Sequence, residues 1–142
     1  MKTLFIKEQE APRAWFVIDA TDKPVGRVAA KAASMLRGKH KVTYAPHQET
    51  GDYVVIINAD KAIVTGNKPE GKIYYHHTGF VGHLQALSFN KLMERHPEDP
   101  ITLAIKGMLP KGSLGRKLLT NVKVYAGASH PHAAQNPQAV EV

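Results

Sequence analysis

At 142 residues and 43% hydrophobic content, the chain suits one domain with a genuine core, which excludes global disorder. It contains no cysteine, so disulfides, thiolate metal sites and cysteine nucleophiles are excluded as well. The formal net charge of +7 arises from 19 Lys and Arg against 12 Asp and Glu, and those charges are segregated. Residues 23–48 carry six basic side chains (Lys23, Arg27, Lys31, Arg37, Lys39, Lys41) and no acid, and residues 106–140 carry five (Lys106, Lys111, Arg116, Lys117, Lys123) and no acid. The remainder, with eight basic and twelve acidic residues, is mildly acidic. Solubility alone does not require such segregation, whereas a polyanionic partner rewards it through counterion release.

Residues 1–13 are aperiodic and read as an N-terminal arm ahead of a core over residues 14–125. Met1–Glu8 has no extended apolar stretch, so no secretory signal is expected there. Trp15-Phe16-Val17-Ile18-Asp19-Ala20 has strand composition, and Thr21–Gly26 is a turn with Pro24 suited to opening a helix. The spacing predicts a helix over Arg27–Arg37 with Val28, Ala32, Met35 and Leu36 inward, closed by Gly38. Residues 38–51 form a polar, basic connection. Tyr53-Val54-Val55-Ile56-Ile57 is an apolar run suited to a strand covered on both faces, and it is far too short to span a bilayer.

Thr65–Gly71 has turn chemistry, and Lys72–Thr78 reads as a further strand with Ile73, Tyr75 and His77 on one side and Tyr74, His76 and Thr78 on the other. Residues 79–82 form a loop. Short helices are predicted after Ser88, from Asp99-Pro100, and over Leu114–Leu119, with a last strand at Val122–Tyr125. Residues 126–142, rich in Ala, Pro, Gln and His, are expected to be an extended tail. There is no internal repeat. Strand, helix and buried strand in succession point to an α/β domain with a mostly parallel sheet, a class that hosts enzymes and non-enzymes alike.

Enzymatic constellations are poorly supported. No G-x-G-x-x-G occurs, and Gly107–Ser113 has Walker-like glycine spacing but places Ser113 where a phosphate-binding lysine is required. His76 and His77 are adjacent and would face opposite sides of a strand. His130 and His132 share a side but lack a third ligand, so no metal or other cofactor is expected. Asp19, Asp22 and Asp52 lie at strand ends or turns, where capping explains them. His77 with Ser88 or Asp52 as a dyad has no support from spacing. The competing class is a nucleotide-dependent or nucleic-acid-processing enzyme, and it would need an acidic cluster that the sequence lacks.

An RNA-binding reading uses more of the residues. Arg37-Gly38-Lys39-His40-Lys41 places four potential cations around a glycine at a helix end. Lys106-Gly107-Met108-Leu109-Pro110-Lys111-Gly112-Ser113-Leu114-Gly115-Arg116-Lys117 alternates cations with three glycines, so that backbone N–H groups and side chains face one polyanion. Tyr74, Tyr75, His76 and His77 offer rings for unpaired bases, although a strand buries one face and one tyrosine is expected to pack inward. Lys39, Lys41, Lys106, Lys111, Arg116 and Lys117 are therefore candidate phosphate contacts. Arg27 and Arg37 would join them, and His40, His76 and His77 would add hydrogen bonds or stacking.

These segments closely resemble the bacterial family of large-subunit ribosomal protein thirteen. The likeness is carried by Lys106–Arg116 and by Leu36-Arg37-Gly38-Lys39-His40-Lys41, Thr50-Gly51-Asp52-Tyr53, Asn58-Ala59-Asp60-Lys61 and Thr65-Gly66-Asn67-Lys68. Tyr74–Gly79, Lys123–Gly127 and His132-Ala133-Ala134-Gln135 extend it, so that it covers roughly residues 13–138. One departure is Gly82-His83, where the family often has paired glycines. The resemblance implies a three-layer α/β/α fold around a four-stranded parallel sheet, in a single ribosomal-protein domain over residues 1–142. It implies a non-enzymatic, cytoplasmic constituent of the large ribosomal subunit that acts early in assembly. Its partners would be large-subunit ribosomal RNA and neighbouring ribosomal proteins, with no membrane and no small-molecule substrate. Some relatives also repress translation by binding messenger RNA, a secondary role that the resemblance leaves open here.

Overall fold

A computed structural model describes residues 5–142 of the protein. The two expected apolar strands, β1 (Trp15–Asp19) and β2 (Tyr53–Ile57), pair in parallel, with Trp15 opposite Tyr53 and Ile18 opposite Ile56. Parallel pairing demands a crossover, and α1 (Val25–Arg37) supplies it. A second crossover uses α2 (Lys68–Gly71), α3 (Phe89–Arg95), α4 (Asp99–Met108) and α5 (Ser113–Thr120), and returns the chain to the sheet as β5 (Val122–Val124), parallel to β2. Between α2 and α3 lies a hairpin of β3 (Ile73–His77) and β4 (Leu84–Ser88). The fourth strand of the sheet is β6 (Gln138–Val140), parallel to β1, giving the order β5-β2-β1-β6.

Successive strand residues face opposite sides, and this divides the core. Ile18, Val54 and Ile56 point to the helical side and are fully buried. They meet Val28, Ala29, Ala32 and Leu36 of α1, Ile101 and Ile105 of α4 and Leu118 of α5. Each buried Leu or Ile contributes about 1.5–3 kcal/mol of hydrophobic stabilisation. The spacing of the buried α1 residues is that of one helical face, and alanines at 29, 32 and 33 let α1 lie close against α4. On the far side of the sheet, the connection from β5 to β6 crosses over Trp15, with a short 3-10 turn at Ala133–Gln135. The architecture is α/β with a parallel four-stranded sheet and is consistent with the expected three-layer class.

Two segments differ from expectation, and the arm is described only in part. Of the arm read over residues 1–13, residues 1–4 lie outside the described residues, and the rest is drawn onto the domain by Glu8 and Arg13. Within 126–142, read as an extended tail, Gln138–Val140 becomes a strand of the main sheet. Its three residues, Gln-Ala-Val, give too weak an alternation to announce a strand. Lys72–Thr78 does form a strand, but it leaves the main sheet to pair antiparallel with Leu84–Ser88, whose Leu-Gln-Ala-Leu-Ser sequence has little β-branching.

Candidate nucleic-acid interface

The first cationic cluster is built by a close approach of two backbones. Gly38 adopts φ 75° and ends α1, with its N–H donating to Met35 O and the Lys39 N–H donating to Ser34 O. Gly51 lies so near that an added Cβ would sit 1.7 Å from Leu36 O. This brings the start of β2 against the end of α1 and delivers Asp52 to the His40-Lys41 turn. The Asp52 side chain is 1% exposed. Its Oδ1 accepts from the Ala14 N–H (2.8 Å) and pairs with Lys41 Nζ (2.6 Å), and Nζ also donates to Pro12 O. Its Oδ2 lies 2.8 Å from His40 Nε2. A buried carboxylate is tolerated only when compensated in this way, so His40 and Lys41 are tied to a fold-stabilising acid.

A second buried acid organises the arm. Glu49, 2% exposed, pairs through Oε1 with Arg13 Nη1 (3.0 Å) and accepts from Asn121 Nδ2, while Lys117 Nζ lies 3.0 Å from Oε2. Lys117 also reaches Glu8 Oε1, and Arg13 Nη2 lies 3.4 Å from the same oxygen. The hydrogen bond from Lys117 is the first cause holding the Glu8 carboxyl down at about 2, with further help from the charges of Lys117 and Arg13. Lys117, expected to face RNA, is thus engaged by two carboxylates of its own chain.

The other candidate cations have no acidic partner among the described residues. Lys106, at the end of α4, and Lys111 and Arg116, either side of the α5 start, line one cleft of about 260 Å³ with Pro110, Gly112, Gly115 and Leu119. Its shape follows from two glycines. Gly112 takes φ 115°, and a Cβ on Gly115 would meet Pro110 O at 1.7 Å, so α5 sits directly against the turn that carries Lys111. A neighbouring cleft of about 190 Å³ is lined by Ala30, Ala33, Ser34, Arg37, Lys39 and Met108. Lys39 is exposed, and the Arg37 guanidinium lies 5.9 Å from the Tyr44 ring centroid. Arg27 is exposed in the first turn of α1. Met108 of α4 thus lines the cleft that carries Arg37 and Lys39 at the end of α1.

The hairpin is more exposed than a core strand. Tyr74 packs against the core while Tyr75 is 64% exposed, so the pair divides as expected between packing and exposure. His76 and His77 are exposed, and His77 Nδ1 accepts from the Gly79 N–H (2.9 Å), which leaves Nε2 free for a partner. Phe80 and Val81 at the tip are 72% and 100% exposed.

Alternatives to binding gain nothing from the geometry. His77 pairs with Leu84 and Ser88 with Ile73, at opposite ends of the hairpin, and Asp52 faces His40, so neither imagined dyad forms. Among the described residues no group of three His, Cys, Asp or Glu comes together as a metal site. His132 instead donates to or accepts from Tyr125 Oη through Nε2 (2.7 Å) and stacks on Trp15, which stacks on Tyr53. No helix among the described residues is long and apolar enough to cross a membrane.

The roles of Arg13, Glu49 and Asp52 escaped sequence reasoning because their contacts join residues far apart in the chain, 36 positions for Arg13 and Glu49 and 109 for Lys117 and Glu8. A third acid-free stretch, residues 71–93, was legible and marks the hairpin and its flanks.

Against known proteins, the family described as Ribosomal protein L13 matches residues 13–131. The chain is 69% identical to the Large ribosomal subunit protein uL13 of Treponema denticola over 142 residues, the full length of both. It is 58% identical to proteins of the same name from Treponema pallidum subsp. pallidum, over 96% of each chain, and from Acidithiobacillus ferrooxidans, over the full length of both.

Proposed function

The chain belongs to the Ribosomal protein L13 family, and from that premise we propose that it binds and clamps large-subunit ribosomal RNA early in the assembly of the subunit. The family is one of structural ribosomal constituents, and a structural, non-enzymatic role in the large subunit follows from membership. Its finer partners on this reading are folded large-subunit RNA and adjacent ribosomal proteins, in the cytoplasmic ribosome.

The observation that carries the RNA reading is the convergence of Lys106, Lys111 and Arg116 on one glycine-walled cleft with no carboxylate among its residues. Cations held apart from their own acids retain full attraction for phosphate, and glycine lets the phosphate approach the backbone. Arg27, Arg37 and Lys39 extend this surface along α1, and His76 and His77 add contacts from the hairpin. Lys41, His40 and Lys117 support the fold that holds the surface, through Asp52, Glu49 and Glu8. Contacts of this kind read shape and backbone rather than sequence.

The test is incorporation. Protein with Lys106, Lys111 and Arg116 replaced by Ala should fold normally and fail to co-sediment with large subunits after a high-salt wash that retains the wild type. Equal retention of the variant would overturn the assignment.

A further inference from the structure

Beside the basic clefts lies a larger groove that the RNA reading does not use. It encloses about 710 Å³ between the first turn of α1, α2 and the end of α4, and is lined by Val25, Gly26, Val64, Asn67, Lys68, Gly71, Lys72, Ala104 and Met108. Val25, Val64, Ala104 and Met108 make an aliphatic floor, Lys68 and Lys72 stand at the side of α2, and no carboxylate lines it. Lys72 is held in position over the Tyr74 ring, at 5.2 Å. The Asn67 side chain makes no hydrogen bond among the described residues. Met108, 46% exposed, also walls the Arg37–Lys39 cleft, so the groove continues the cationic surface rather than standing apart from it.

The glycines of this region add an independent indication. Gly26 in α1 and Gly107 in α4 weaken their helices without a visible benefit to the fold. Neither has a positive φ, and a Cβ on either would meet nothing within 4 Å. Gly71, which closes α2, also has no positive φ and would meet only Asn67 Nδ2 at 3.9 Å. Two of the three line the groove, and Gly107 is the immediate neighbour of Met108. Glycine without a conformational or packing reason suits a surface that another molecule approaches closely.

We propose that this groove receives one unpaired nucleotide of the bound RNA, with the base on the Val25–Val64–Ala104–Met108 floor and its flanking phosphates at Lys68 and Lys72. Asn67 supplies a donor and an acceptor for the base edge. The volume falls within the range of about 300–1,000 Å³ of small-ligand sites. The charge selects the occupant: an apolar side chain of a partner protein would fill the floor but leave two lysines unmatched, whereas a nucleotide satisfies both. This proposal rests on the RNA reading above and adds to it a requirement for single-stranded RNA.

The test measures binding of the full-length protein to a short oligouridylate and to a fully paired RNA duplex of similar length, by fluorescence anisotropy. Gly26→Leu projects a side chain into the groove from a position with open space, and Lys68→Ala with Lys72→Ala removes the phosphate contacts. Both variants should weaken oligouridylate binding by about tenfold or more and leave duplex binding within about twofold of wild type. Circular dichroism on Gly26→Leu confirms folding, and the lysine pair, being on the surface, gives the same answer independently. Unchanged oligouridylate affinity in both variants, or equal losses on both RNAs, would overturn the groove assignment. Wild-type protein that binds duplex but not oligouridylate would also remove the groove alone, whereas binding to neither RNA would remove the RNA reading with it.

Discussion

The two cationic regions of the molecule look alike in sequence and behave differently in the fold. Around Asp52 and Glu49, Lys41, Arg13 and Lys117 pair with buried carboxylates, and the His40 ring contacts Asp52. Around the α4–α5 turn, Lys106, Lys111 and Arg116 surround a cleft and meet no carboxylate there. Lys41 and Lys39 stand two residues apart, and Lys41 is clamped while Lys39 has no acidic partner among the described residues. Absence of acids in a stretch of sequence therefore does not make its cations available, because acids arrive from elsewhere in the chain. One region pairs its charge within the fold, and the other leaves its charge without an acidic partner among the described residues.

The largest expected effect breaks the buried side. Asp52→Ala removes the acceptor for the Ala14 N–H and the buried carboxylate that Lys41 and His40 contact, and should cost about 3 kcal/mol in urea unfolding. A loss under about 1 kcal/mol would mean that the cluster does not support the fold. On the cleft side, replacing Lys106, Lys111 and Arg116 together by Ala should leave unfolding within about 0.5 kcal/mol. The same variant should lower the slope of log binding constant against log salt by about 2–3 for RNA.

The glycines sharpen the contrast at smaller scale. Gly115→Ala should destabilise by about 1–3 kcal/mol, because its Cβ would collide with Pro110 O. Gly107→Ala has open space and should be neutral or stabilising by up to about 1 kcal/mol, measured by the same unfolding experiment.

The smallest effect uses Asp19, an acid met by neutral donors. The Asn58 amide, then the Thr21 hydroxyl and N–H, hold its carboxyl at about 2 against an ordinary 3.8. Because folding favours the ionised form, the stability it adds is full above a pH of about 4 and is lost as pH falls towards 2. Asn58→Ala should flatten that part of the pH–stability curve, and an unchanged curve would contradict the cause given.

Much of this was legible in the sequence. The apolar runs gave β1 and β2, the helical spacing and Gly38 gave α1 and its end, and Pro100 gave the start of α4. The glycine-rich run over 107–115 marked the segment in which Gly112 and Gly115 wall the cleft. What stayed hidden depends on long-range contact. Nothing local in Gln138–Val140 marks a strand, because its partner Phe16–Ile18 supplies the template. Glu49 and Asp52 read as ordinary polar residues until Gly38 and Gly51 bring the end of α1 onto β2. On the reading proposed above, these carboxylates engage Lys41, His40 and Lys117 within the fold, in contrast to the cations that have no acidic partner among the described residues.

The neighbouring lysines give the most direct test. Binding of a large-subunit ribosomal RNA transcript, measured over a range of salt concentrations, should respond differently to Lys39→Ala and Lys41→Ala. Lys39→Ala should lower the salt slope by about 0.7–0.9 and leave the unfolding midpoint in place. Lys41→Ala should lower the midpoint by leaving Asp52 short of a cation, with the slope preserved. Equal loss of slope in the two variants, or no loss for Lys39→Ala, would contradict the division between clamped and available charge.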